Sequence, residues 1–236
     1  MPAGRSFRRQ PIRRVADAGA CGFKSDGTER ACMGARDVHR ISVLGAGTMG
    51  RGIAQVAALA GYDVRIRDVT EELVQSGVEA IEKRLERAVR RGGLTDAEAD
   101  AALSRIDPTV AIGRAIADTD LVIEAVPERQ DLKRAVYGDI VPHLSEGTIV
   151  ATNTSGFSIT SLAESTDRPD RFVGMHFFNP PDRMRLVEVV RGELTGEETV
   201  EVTRAVARAM DKVPIVVRKD SPGFVVNRVL LPLLNE

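Results

Sequence analysis

The stretch "HRISVLGAGTMGRGIAQVAALAGYDVRIRD", His39 to Asp68, changes its period twice. Up to Leu44 it is a short β-rich run. From Thr48 to Ala60 the apolar residues return at helical spacing, and Gly61 closes that helix. Tyr62–Arg67 reads as a second strand. Between the first strand and the helix, Gly45, Gly47 and Gly50 fit G-x-G-x-x-G, with Thr48 and Met49 inside the pattern. The first glycine allows a tight turn, and the second lets backbone approach a pyrophosphate. The third lets the helix pack close to the sheet while its N-terminus faces the phosphates. Alone the pattern is weak. Here it follows a strand, opens a helix, and is followed by Asp68 at the end of the next strand. That carboxylate can accept both adenine-ribose hydroxyls and repels a 2′-phosphate, which favours NAD over NADP. Arg65 and Arg67 flank it and are expected to weaken the preference.

Outward from this unit the alternation continues. Thr70 with Glu71 and Glu72 starts a helix that runs to about Arg91, and Thr95 with Glu98 makes a capping box for a second one. A helix pair is therefore expected before the strand "TDLVIEAVPE". A helix over 131–144 follows, with Lys133 and Arg134 expected on its exposed face. "GTIVATNTS" is a strand, 158–164 a short helix, and 171–177 and 185–190 two strands. A helix over 197–210 and a strand over 213–217 complete the pattern. Ser221-Pro222 predicts the start of a last helix, the first of an incomplete all-α domain. Alternating strand and helix specify an α/β fold with a doubly wound, mostly parallel sheet carrying an inserted helix pair. The expected domains are an NAD-binding Rossmann domain over 39–220 and the start of the helical domain over 221–236.

Residues 1–38 have a different texture. "GRSFRRQPIRRVADAGACGFKSDGTER" is rich in Arg, Gly and Ala without sustained period, and disorder is expected. Translation starting at Met33 is the alternative. Asp17, Asp26, Glu29 and Asp37 speak against a transit peptide, which would place the protein in the mitochondrial matrix instead of the cytoplasm. The chain has 236 residues with 43% hydrophobic and 28% charged content, enough for a real core. A net charge of −1 gives no basis for binding nucleic acid or a membrane surface. No apolar run approaches the ~20 residues of a membrane helix. Cys21 and Cys32 are the only cysteines, so neither a disulfide scaffold nor a metal site is expected, and a reducing compartment is.

His176 in "GMHFFNP" falls at the end of a predicted strand, where open parallel sheets place their chemistry. Glu188 sits in the next strand, inside an apolar run where an unpaired carboxylate is expensive to bury. The carboxylate can accept from one ring nitrogen, fix the tautomer and leave the other nitrogen free to take a proton. His39 and His143 have no such company. Ser155 in "TNTSG" and Asn179 in "FFNP" also follow strand ends. A base, an acid and polar donors beside a nicotinamide pocket fit proton abstraction coupled to hydride loss.

Together, "VLGAGTMGRGIAQVAALAGYDV", "ATNTSGFSIT", "GMHFFNP", "LVEVVRG" and "KDSPGFVVNR" resemble the L-3-hydroxyacyl-CoA dehydrogenase family, including its 3-hydroxybutyryl-CoA members. The resemblance implies reversible, NAD-dependent oxidation of the 3-hydroxyl of an acyl-CoA, as in fatty-acid β-oxidation. It implies His176 as base, Glu188 as its partner, Ser155 as a donor to substrate oxygens, and Asn179 and Asn227 as active-site asparagines. Glu128 and Lys133 match positions lining the cofactor. Family members continue into a helical domain that closes the substrate cleft and forms a homodimer interface. Two other readings are an NAD-binding chain without turnover and a dehydrogenase of a small hydroxy acid, such as a sugar acid or carnitine.

Overall fold

The structure is a computed structural model and describes residues 38–234. The disorder expected of residues 1–37, with both cysteines, lies outside the described residues. Val38, at the edge of that segment, is buried in the core.

The chain begins β1 (Arg40–Leu44), α1 (Thr48–Leu59), β2 (Asp63–Arg67), α2 (Glu71–Arg90) and α3 (Asp96–Leu103). It continues with β3 (Ile106–Thr109), α4 (Ile112–Ile116), β4 (Leu121–Glu124), α5 (Gln130–Ile140) and β5 (Ile149–Thr152). Then come α6 (Ile159–Ala163), β6 (Phe172–Phe177), β7 (Leu186–Val190), α7 (Glu197–Ala209), β8 (Val213–Val217) and α8 (Val226–Leu234). The strands form one eight-stranded sheet in the order β3-β2-β1-β4-β5-β6-β7-β8. Neighbours from β3 across to β6 are parallel, β7 runs antiparallel to β6, and β8 is parallel to β7. β4, β5 and β6 are buried along their whole length, as strands covered on both faces must be. One face packs against Ile53, Val74, Ile81 and Val206 from α1, α2 and α7. The other packs against Ile116, Tyr137, Ile140 and Leu162 from α4, α5 and α6. The doubly wound expectation holds, and the strand order reverses between β1 and β4, where such sheets open a crevice for ligands.

The helix pair forms as read. Thr70 accepts from Leu73 N–H, and Thr95 and Glu98 make the reciprocal capping box. The pair is followed by β3 and α4, which the sequence reading passed over. Pro108 in "IDPT" argues against a strand, but β3 is the sheet edge, where a missing N–H costs no ladder bond. The last helix also starts later than Ser221-Pro222 predicts. Residues 222–225 form a turn, with Gly223 at φ 74° and Phe224 at φ 51°, and α8 begins at Val226. A left-handed phenylalanine cannot belong to a right-handed helix, and it is strained.

The glycine turn tolerates little. A Cβ on Gly50 would stand 1.7 Å from the Gly45 carbonyl oxygen. Gly50→Ala therefore forces the backbone apart, and an overlap this severe with a backbone atom falls at the upper end of overpacking costs, about 3 kcal/mol, which exceeds the ~1 kcal/mol alanine gains in a helix. Urea unfolding is expected to show the loss as a lower midpoint; an unshifted midpoint contradicts this packing.

Candidate functional site

Gly45 takes φ 105°, and its N–H donates to the Arg67 carbonyl at 2.7 Å, tying the turn to the end of β2. Asp68 closes the same corner, accepting from Ala46 N–H at 2.7 Å and Val69 N–H at 2.7 Å. Nothing lies within 4 Å of where a Gly47 Cβ would be. The N-terminus of α1 has no side-chain cap and no acid in its first turn. Open space over a glycine, an uncapped helix N-terminus and a fixed carboxylate beyond it suit a dinucleotide. Arg65 donates to the Ala117 carbonyl and lies 3.7 Å from Asp107, and Arg67 Nε donates to Val110 O at 3.2 Å. Both lean toward the β3–α4 segment.

His176 on β6 and Glu188 on β7 are direct cross-strand partners. His176 Nδ1 lies 2.7 Å from Glu188 Oε2, and both side chains are buried. The other carboxylate oxygen, Oε1, accepts from the backbone N–H of Val225 and of Val226, each at 3.0 Å. Glu188 thus joins the imidazole to the first turn of α8, where an anion also meets the helix dipole. Burial pushes its pKa up, but the bonds from His176, Val226 and Val225 outweigh that and hold it below the ordinary glutamate value. The left-handed turn at Phe224 aims those two amides. It also sets the Phe224 ring 5.7 Å from the imidazole, while Phe178 sits 4.5 Å away on another side. His176 is left with Nε2 as its only uncommitted polar atom.

Ser155 is exposed just past β5. Its carbonyl accepts from Asn227 Nδ2 at 3.3 Å, joining α8 to this loop. Asn179 is exposed in the turn after β6. Lys212 is buried beside that turn and donates to the carbonyls of Pro181 and Met184, the latter at 3.1 Å. His176 with Glu188 and Ser155 with Asn227 are thus two bonded pairs, brought together because Glu188 also holds the amides of Val225 and Val226, which precede Asn227 in the chain; Asn179 sits in the adjoining turn.

Lys133 is not exposed: its side chain is 1% accessible. It lies on the apolar face of α5 with Val136, Tyr137 and Ile140, one helical repeat that the sequence displays. Its ammonium bonds Glu124 at 2.8 and 3.0 Å and Glu128 at 3.2 Å. Glu128, 41% accessible, is the member that reaches the rim. Glu124 is a residue the sequence reading missed. Its signal was the one used for Glu188, a carboxylate inside a buried strand.

Asp220 was missed as well. It accepts from Ser158 Oγ at 2.6 Å, Thr160 Oγ1 at 2.7 Å, Thr160 N–H at 2.8 Å and Ile159 N–H at 3.1 Å. Burial raises its pKa, but these donors, Ser158 first, bring it below the ordinary aspartate value. A carboxyl whose folded pKa lies below its unfolded one adds stability above the unfolded value. That stability is lost as pH falls through the folded one. Asp220 ties the start of the 220–226 segment to residues 158–160, and Glu188 holds its end through the amides of Val225 and Val226. As the pH drops below about 4, amides of this segment are expected to exchange with solvent before those of β1 and β4. Simultaneous loss of protection throughout the sheet would contradict it.

Among the described residues no group of His, Cys, Asp and Glu could hold a metal ion, and no helix is long and apolar enough to cross a membrane. Sheet, glycine turn and acid-ended β2 define a dinucleotide-binding Rossmann domain with a His–Glu pair on its ligand edge. The family model for the NAD binding domain of 3-hydroxyacyl-CoA dehydrogenase matches residues 40–221, and the chain belongs to that family. It is 49% identical over 198 residues to the fatty acid oxidation complex subunit alpha of Psychrobacter cryohalolentis, covering 84% of this chain and 27% of that one. Among solved structures, the (S)-3-hydroxybutyryl-CoA dehydrogenase PaaH1 from Ralstonia eutropha superimposes with a TM-score of 0.82. The identity is 43%, over 84% of this chain and 69% of that one. The 3-hydroxybutyryl-CoA dehydrogenase of Escherichia coli gives 0.80 at 40% identity, covering 83% and 41%. The chain therefore spans about a quarter of the length of the curated relatives it matches (27%).

Proposed function

We propose that this chain carries out the reversible, NAD-dependent oxidation of an L-3-hydroxyacyl-CoA to the 3-oxoacyl-CoA. The observation that carries the proposal is the 2.7 Å contact between His176 Nδ1 and Glu188 on the ligand edge of the sheet. Bound NAD supplies the acceptor for the hydride leaving C3. As that bond breaks, His176 Nε2 takes the hydroxyl proton, and the C–O bond gains its second bond. Glu188 holds Nδ1–H and stabilises the imidazolium that results. Ser155, Asn179 and Asn227 are assigned to the substrate oxygens, Asp68 to the ribose, and Glu128 to the nicotinamide half.

The acyl-CoA assignment has a separate support. Arg84, Arg87 and Arg91 on and just after α2 face Asp182 and Arg183 of the β6–β7 turn across a cleft of about 380 Å³. Arg84 Nη1 is buried without a partner. Guanidinium groups in such number suit the phosphates of coenzyme A, and forked donors bind them bidentately. A cytoplasmic setting and a homodimer belong to the same proposal. NADH binding by fluorescence titration, together with acetoacetyl-CoA reduction, tests the reading. CoA-free hydroxy acids outperforming thioesters would sink it.

A second reading is favoured by exposed Val225, Val229 and Leu230 on and before α8. Apolar residues beside a site mark a surface that another segment covers. In that reading the chain binds NADH and turns over only once that face is covered. NADH binding without turnover, restored by a supplied helical domain, is its expected signature.

A further inference from the structure

Glu124 ends β4, is wholly buried, and plays no part in the chemistry above. Its carboxylate collects four donors: Val126 N–H at 2.8 Å, Lys133 Nζ at 2.8 and 3.0 Å, Tyr137 OH at 2.6 Å and Thr152 Oγ1 at 2.7 Å. A buried carboxylate so fully satisfied is rigid, because every movement leaves a donor unpaired. The Lys133 ammonium is held by it on one side and reaches Glu128 Oε2 at 3.2 Å on the other. Glu128 Oε1 in turn accepts from Ser155 N–H at 2.8 Å and Thr154 Oγ1 at 2.5 Å. The chain of contacts therefore starts inside the sheet and ends on the loop that carries Ser155.

Its position matters. The residues just after β4 lie against the glycine turn, since a Cβ on Gly45 would meet Ala125 O at 2.7 Å. With the adenosine half placed on β2 by Asp68, the other half of a dinucleotide crosses the β1/β4 crevice. It passes over the ends of β4 and β5 toward His176 on β6. Glu128 and Ser155 stand on that path.

We propose that Glu124 is a positioning residue: through Lys133 it fixes Glu128 against the Ser155 loop and so shapes the rim that receives the nicotinamide half of the cofactor. Without Glu124 the Lys133 ammonium loses two of its three carboxylate bonds, and Glu128 loses the fixed partner that orients it. Tyr137 cannot substitute. Burial, the larger cause and one that does not depend on Glu124, pushes its hydroxyl well above its usual pKa, so it remains a donor. This inference rests on the dinucleotide reading and asks only how its two halves are held.

Glu124→Gln separates the halves. ADP-ribose affinity, which reads the Asp68 end, is expected to stay unchanged. NADH affinity is expected to fall about tenfold, the worth of a lost charge-assisted contact. In the ligand-free protein the Ser155 amide is expected to exchange about tenfold faster, with β1 amides unaffected. Equal losses for ADP-ribose and NADH would make Glu124 a merely structural residue and overturn the proposal, as would no loss of either. Should Glu124→Gln fail to fold, Thr152→Val removes one donor to the same carboxylate and is expected to give a smaller loss confined to NADH. No NADH binding by the parent chain would overturn the dinucleotide reading itself, a result distinct from parent binding that the variant leaves intact.

Discussion

His176→Ala is expected to slow acetoacetyl-CoA reduction by about 10²–10⁴-fold, the usual worth of a positioned base or acid. NADH affinity is expected to remain within about twofold of the parent, because a group that acts on the proton in flight contributes little to binding the cofactor. In the proposed reaction the same nitrogen delivers in reduction the proton that it takes in oxidation, so both directions are expected to lose alike. The cavity left is lined by Phe178 and Phe224, and Glu188 keeps its bonds to Val225 and Val226. The variant should therefore fold, and its unfolding midpoint serves as the control. Turnover at the parental rate would remove His176 from the reaction.

How much of this was readable depended on distance along the chain. Gly45, Gly47, Gly50 and Asp68 sit in one local unit, so the strand, turn and helix they belong to followed from the spacing and the flanking periods. The pairing of His176 with Glu188 needed only that two adjacent strands meet across a turn, and the antiparallel register delivers it. The second duty of Glu188 was not readable. It rests on Phe224 adopting a left-handed conformation, which nothing in "SPGFVVN" requires of a phenylalanine. Ser221-Pro222 offered an ordinary helix start, and tertiary capture of two amides by a buried carboxylate overrode it. β3 was hidden by Pro108 because edge position is a property of the whole sheet. Lys133 is a different kind of miss. Its spacing with Val136, Tyr137 and Ile140 put it on the buried face, and only its charge argued otherwise. That charge is met by Glu124, itself visible in "LVIEAV" as a carboxylate with no right to be buried alone.

Glu188→Gln isolates what the carboxylate does for the imidazole from what it does for the fold. The amide has the same shape, and its oxygen can go on accepting from Val225 and Val226 N–H, which only an acceptor can satisfy. Its NH₂ group then faces His176 Nδ1 and donates to it. The neutral ring responds by carrying its one proton on Nε2, the nitrogen that the proposed reaction requires to be empty. An orienting carboxylate replaced by its amide in an equivalent arrangement costs about 10⁴-fold through the wrong tautomer. A loss of about 10³–10⁴-fold in oxidation is therefore expected, with stability changed by roughly 1 kcal/mol or less. Glu188→Ala makes the contrast, since it strands His176 and two amides at once and is expected to cost about 3–5 kcal/mol. Measuring both variants by turnover and by urea unfolding distinguishes the roles. If the amide variant turned over normally while the alanine variant unfolded, the carboxylate would be a helix cap alone, and the tautomer of His176 would have to be set by something else.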